Sequence, residues 1–387
     1  MLELRGDCRD EGHIVAAEGD IIGVDGISGM RVGVNFPWRD YGWDFGVGPA
    51  SWRGGLANPR WYAEIDGHLR HFQDVGISVV RWFILADGLT YGVGAEAPVP
   101  DRTVKEGWRF EPSPLTAEFL QHFETLLERF SAACANDRPA IQLLPVLIDF
   151  HFCKPGIRPV ALPDRLNPDK RSEDTDWVKQ GRAQVLTDAV KRAQFLDRVL
   201  EPLLNASRRY AHVIHAWELI NEPDWVTKRW NPHLFARAPI PEIAMRAFIE
   251  DGAHRIRAAG FKPTIGFASV ETLRQAGIDL EINQVHHYPG GRRTLDCRAF
   301  DAGCPSVLGE FATAADDVWP ELTLDHQRVL HRLRLARSQG CPLAMPWSFL
   351  GRDRHTLWSD EVERDIKAFV LDAEEEDRLR SDESFEE

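Results

Sequence analysis

The chain has no apolar run approaching the ~20 residues that cross a membrane as a helix, and this excludes a helical span. It has no excess of basic residues: 46 Lys and Arg against 60 Asp and Glu leave a formal charge of −14. That balance disfavours nucleic acid and anionic membranes as partners. No CxxC pair occurs among its six cysteines, Cys8, Cys134, Cys153, Cys297, Cys304 and Cys341. They read as small buried hydrophobes, with Cys297 and Cys304 near enough in sequence to bridge a short loop. The start, MLELRGDCRDEGH, lacks a basic-then-apolar signal pattern. A cytoplasmic location is therefore expected if this is the native start, and a secreted one if it was trimmed.

What is present describes a well-packed domain: 387 residues, 43% hydrophobic and 27% charged. Eight short apolar runs read as strands: Arg31–Phe36, Ser78–Ile84, Ala140–Phe150, Val213–Ile220, Thr264–Ala268, Gln284–His287, Ser306–Leu308 and Leu343–Trp347. Helix-spaced apolar stripes lie between them, at Leu115–Ala135, along Val190, Ala193, Leu196, Leu200 and Leu203, at Glu242–Ala259 and at Leu322–Ala336. Repeated strand-then-helix units imply right-handed crossovers and a parallel sheet. Eight of them predict a single (β/α)8 barrel over residues 1–375, with a small hairpin at about 12–30 and enlarged loops at 86–114 and 152–180. A doubly wound sheet is the alternative, but no Gly-rich phosphate loop follows any strand. The acidic residues 376–387 are expected to be a frayed, disordered tail.

In such a barrel the strand ends share one rim, so the polar residues there form a candidate site. In chain order the ends carry Asn35, Arg81, Asp149 and His151, Asn221 and Glu222, His286 and Tyr288, Glu310, and Trp347. Glu222 and Glu310 sit on the fourth and seventh strands, across the rim. Facing carboxylates suit glycosidic bond cleavage, and their separation decides the stereochemistry. Paired with Arg81 and a histidine, the same two groups could instead be structural. Glu218 lies deeper, about 13 Å from Glu222 at ~3.3 Å per residue, and needs a partner such as Arg81. Asp149 is out of phase with His151 and is expected to face the strand–helix layer. Trp38, Trp43, Trp52, Trp108, Trp225 and Trp230 fall in turn-rich stretches, where they either stack on sugars or pin loops. His286 and His287 are adjacent and point to opposite faces, so a shared metal is not expected.

These segments in order (LIDFH, WELINEP, VHHY, LGEF and MPWSF) resemble glycoside hydrolase clan A, most closely family 5, the cellulase and β-mannanase family. The resemblance spans about residues 31–350. It implies a (β/α)8 barrel and a retaining hydrolase acting on β-glucan- or β-mannan-type oligo- or polysaccharides, without a cofactor or metal. Glu222 would be the acid/base and Glu310 the nucleophile, held by Arg81 and Tyr288. Asn221 would bind the sugar 2-hydroxyl, His151 and His286 would orient hydroxyls or the acid, and Trp347 would floor the reacting sugar. Another clan A hydrolase, such as a β-xylosidase or an arabinofuranosidase, shares both glutamates. A silent carbohydrate-binding barrel is the remaining alternative.

Overall fold

The computed structural model describes residues 29–39, 44–45, 56, 59–86, 88, 112–135, 138–154, 157–163, 171–179, 182–230, 239–289, 292–298, 306–314, 317–350 and 355–383. The hairpin expected at about 12–30, and Trp43, Trp52 and Trp108, lie outside these residues or almost wholly so.

Eight parallel strands close into a barrel. They are β1 (Arg31–Asn35), β2 (Val79–Phe83), β3 (Gln142–Asp149), β6 (Trp217–Asn221), β7 (Pro263–Phe267), β8 (Ile282–His287), β9 (Ser306–Ala312) and β10 (Leu343–Trp347). Each overlaps one of the expected runs. Around the barrel the order is β1-β10-β9-β8-β7-β6-β3-β2, which excludes the doubly wound alternative. The loop after β3 contains an antiparallel pair that the sequence reading missed, β4 (Ile157–Pro163) and β5 (Arg171–Lys179).

The helices follow the apolar stripes. Helix α1 (Pro59–Val75) precedes β2. In α2 (Ala117–Cys134), Thr116 caps the start by accepting from the Phe119 amide, and Phe119, Phe123, Leu126, Leu127 and Phe130 form the buried face. The stripe beginning at Val190 is broken into α4 (Ala189–Phe195) and α5 (Glu201–Arg208) by a π turn, after a short α3 (Gln184–Thr187). Helix α6 (Glu242–Ala258) stops at Gly260, whose φ of +89° suits glycine. The remainder are α7 (Val270–Ala276), α8 (Val329–Ser338) and α9 (Asp360–Glu383). The last runs on to Glu383, into residues that the sequence reading placed in the acidic tail. No Gly or Pro interrupts this stretch, and Ala, Glu, Leu and Arg favour a helix.

Alternation along the strands sorts the core. In β2, Val80 and Trp82 join the large cluster between barrel and helices, while Val79 and Phe83 join a smaller one inside the barrel with Leu144, Val146, Val307, Leu343 and Met345. The inner cluster plugs the barrel, and each fully buried Leu, Val or Phe contributes roughly 1.5–3 kcal/mol. Arg81 shares the inner phase with Val79 and Phe83, so strand geometry aims it into the barrel.

Cys297 forms a disulfide with Cys341, not with Cys304. The bond joins the segment before β9 to the residue that closes α8 on β10, at the barrel end opposite the strand C-termini. Cys304 lies outside the described residues, and Cys153 is buried as expected.

Candidate active site

The floor of the rim is an ion-pair network built on Arg81, which is fully buried. Its Nε and Nη2 donate to the two oxygens of Glu218, each at 2.7 Å. Nη1 donates to Glu310 at 2.7 Å and to Asn35 Oδ1 at 2.9 Å, and Nη2 also donates to the Asn221 side-chain oxygen Oδ1 at 2.7 Å. Burial works to lower the guanidinium pKa, but Glu218 and Glu310 outweigh it and raise it, so Arg81 stays charged. Glu218 accepts a further bond from Gln284 at 2.8 Å. The expected Arg81–Glu218 pairing is therefore present, and it makes a buried charge tolerable through full hydrogen bonding.

Register brings the neighbours together. Asn35 is opposite Arg81 on β1 and β2, Asp149 opposite Asn221 on β3 and β6, and His286 opposite Glu310 on β8 and β9. Glu310 accepts from Arg81 on one oxygen and from the Tyr288 hydroxyl, at 2.9 Å, on the other. Burial pushes its carboxyl above the usual range, while His286 and Arg81 pull it back.

Glu222 follows β6 with a φ of +46°, in the left-handed region, and opens a 3-10 turn over Pro223–Trp225. A non-glycine residue there is strained, and the surrounding bonds hold it. Its amide donates to the Gly266 carbonyl at 2.7 Å, and both carboxyl oxygens are engaged. His286 Nδ1 lies 2.9 Å from Oε1, and Trp225 Nε1 donates to Oε2 at 2.8 Å. Burial pushes Glu222 up to about 7, the Asp149 charge adds to the rise, and the Trp225 bond opposes it. Burial also lowers His286 to about 4, so its imidazole is neutral.

His286 bridges the two candidate carboxylates, since Nδ1 is also 3.6 Å from a Glu310 oxygen. One ligand atom each from Glu222, His286 and Glu310 lie within 4.8 Å of one another, a spacing that one cation would also fit. Arg81 and Tyr288 already engage both Glu310 oxygens, and Trp225 the second Glu222 oxygen. The trio is thus better described as a carboxylate pair with a neutral imidazole between. His287 turns away and packs edge-on against Trp319, with ring centres 4.6 Å apart.

Asp149 corrects the sequence reading. It faces the site, where Oδ1 accepts from Asn221 at 2.8 Å and Oδ2 pairs with the His151 ring. Strict alternation breaks within β3, where Val146 lies in the inner cluster but Leu147 and Ile148 both join the outer one, and His151 sits in a 3-10 turn rather than on the strand. Burial would raise Asp149, but its bonds to His151 and Asn221 lower it, so it remains a carboxylate. Asn35 and Gln284 are further members of the network. Asn35 is among the strand-end residues named from sequence, whereas Gln284 is visible there only as a polar residue opening an apolar strand.

The aromatic residues flank this centre. Trp347, ending β10, meets Trp38 edge-on at 6.3 Å, and Trp38 meets Phe83 at 5.8 Å. Trp225 lies beyond β6, four strands from β10 in the closed order and so on the opposite side of the same rim. Trp230 is instead buried against Phe267.

No protein-family model matches the sequence, and no curated protein matches it. Solved structures with the same fold do. An endo-1,4-β-mannanase from Eisenia fetida superposes with a TM-score of 0.61 at 17% identity, over 89% of this chain and 91% of that one. A β-mannanase from the blue mussel Mytilus edulis gives 0.58 at 16%, over 89% and 95%. A family 5 lichenase from Caldicellulosiruptor sp. F32 gives 0.50 at 11%, over 93% and 99%. At these identities the likeness establishes a shared (β/α)8 barrel, similar to that of family 5 glycoside hydrolases.

Proposed function

We propose that the protein is a retaining glycoside hydrolase acting on β-linked mannan- or glucan-type chains. The observation that carries this reading is the Glu222–His286–Glu310 cluster, whose facing atoms lie within 4.8 Å. Retaining enzymes hold their carboxyl groups about 5–5.5 Å apart, whereas inverting ones leave about 6.5–9.5 Å for a water.

The chemistry follows from the partners. Glu222, raised to about 7, holds a proton near neutral pH and can give it to the leaving glycosidic oxygen. Glu310 attacks the anomeric carbon as the bond to that oxygen breaks, and the bonding electrons leave with the protonated oxygen. Arg81 and Tyr288 hold Glu310 in line, and their bonds favour its ionised form. Esterification removes the Glu310 charge, and Glu222, now ionised, takes a proton from water. That water attacks the anomeric carbon, breaks the ester and releases Glu310. Asn221, fixed between Arg81 and Asp149, is placed for the sugar 2-hydroxyl, and Trp347 for its apolar face.

The solved barrels named above are mannanases and a lichenase, which supports β-1,4-mannan and mixed β-glucan as the first substrates to try. The test is a panel of defined manno-, gluco- and xylo-oligosaccharides with product analysis. Release of shorter sugars from the manno or gluco series supports the reading. Turnover of pentosides alone moves the assignment to another clan A activity, and no turnover of any member leaves a binding barrel.

A further inference from the structure

Trp225 lies at the lip of the site, 36% exposed, and its indole nitrogen is bonded to the half-buried acid Glu222. The 3-10 turn Pro223–Trp225 folds the ring back over Glu222, with the Trp225 amide donating to the Glu222 carbonyl at 3.1 Å. The ring rests near Phe150, with centres 6.3 Å apart, and Phe150 in turn packs on His151 at 4.0 Å. The ring is thus anchored to the protein on one side, and part of it is left to solvent beside the carboxyl that would protonate a leaving group.

We propose that Trp225 is a positioning residue, which fixes the Glu222 carboxyl and couples its acid strength to what occupies the leaving-group side of the site. The inference rests on the reading of Glu222 as the acid/base. An indole N–H only donates, so Oε2 is held as an acceptor and the transferable proton is confined to Oε1, beside His286. The same bond stabilises the ionised form that the second step needs as a base. A sugar stacked on the exposed part of the ring would exclude water from this bond, and a hydrogen bond to a charged group strengthens as local dielectric falls. The chemistry recognised is a pyranose face on the aglycone side, across the rim from Trp347.

The test uses the full chain with Trp225→Phe, which keeps a ring and loses the N–H, and Trp225→Leu, which loses both. The pH dependence of kcat/KM is measured on an unactivated oligosaccharide and on a dinitrophenyl glycoside, whose leaving group needs no proton. Both variants should move the alkaline limb upward by about one pH unit. Both should lose about tenfold on the oligosaccharide but less than about threefold on the dinitrophenyl substrate. Only Trp225→Leu should also raise KM for the oligosaccharide. An unmoved limb in Trp225→Phe, with Glu222→Gln abolishing that limb, would overturn the proposal while leaving the acid/base assignment intact. A limb that survives in Glu222→Gln would overturn both. Carbon NMR titration of the Glu222 carboxyl in the folded variants reads the same shift without turnover.

Discussion

Arg81 donates to Glu310 through Nη1 at 2.7 Å while the other edge of its guanidinium grips Glu218 with two bonds of the same length. One buried cation therefore serves both the candidate nucleophile and a deeper structural carboxylate. Removing it leaves Glu218 charged and 0% exposed. Arg81→Met should cost about 3–5 kcal/mol in urea unfolding and abolish activity. Adding Glu218→Gln should restore part of the stability but not the activity. A single variant within about 0.5 kcal/mol of the parent, the range of ordinary surface changes, would contradict the network.

Glu222→Gln and Glu310→Gln should each reduce turnover of an unactivated substrate by about a thousandfold or more, with the fold retained. Azide should rescue Glu310→Ala with an inverted glycosyl azide and Glu222→Ala with a retained one. The opposite pairing of products would exchange the two roles.

Asp224 is buried two residues beyond Glu222, accepting from the Ala268 amide at 3.3 Å. Burial pushes it up to about 7, and the Glu222 charge adds to this. A raised carboxyl contributes stability that is full below its unfolded pKa of about 3.9 and is lost as pH climbs through the folded value. Asp224→Asn removes this titration, so its stability relative to the parent should rise as pH goes from about 4 to about 7. Urea unfolding across that range checks it, and a constant difference between the proteins would contradict the burial of a charge-bearing group.

The Cys297–Cys341 bond closes a loop with a sequence separation of 44. Chain entropy assigns such a closure about 4 kcal/mol, and measured effects commonly fall at 2–4. The double change Cys297→Ser with Cys341→Ser should lower stability by about that amount. It should leave kcat/KM within about twofold, because the bond lies at the barrel end opposite the site. A large loss of kcat/KM in folded protein would show that the two ends are coupled.

The barrel was legible because all eight strands are buried on both faces and read as short apolar runs between helical stripes. The rim was legible because polar residues ending such runs have few structural uses. What escaped depends on local departures from period two. The phase break at Leu147 and Ile148 in β3 and the turn at His151 bring Asp149 inward, and neither is written in spacing. The β4–β5 pair hides in segments broken by Pro159, Pro163 and polar residues, which dilute the strand pattern. The pairing of Cys297 depends on how α8 returns to β10, so sequence proximity pointed to the wrong partner. Helix α9 extends past the expected domain end at 375 to Glu383, because Ala, Glu, Leu and Arg favour a helix even where the composition is acidic.

The central claim is that Glu222 and Glu310 act in turn on one anomeric carbon, with a covalent intermediate between. The most direct measurement is proton NMR of the sugar first released from a β-linked oligosaccharide, read before mutarotation. Two displacements at the carbon predict the β anomer first, with α appearing only as the signals equilibrate. Release of the α anomer first would mean a single displacement and would contradict the account.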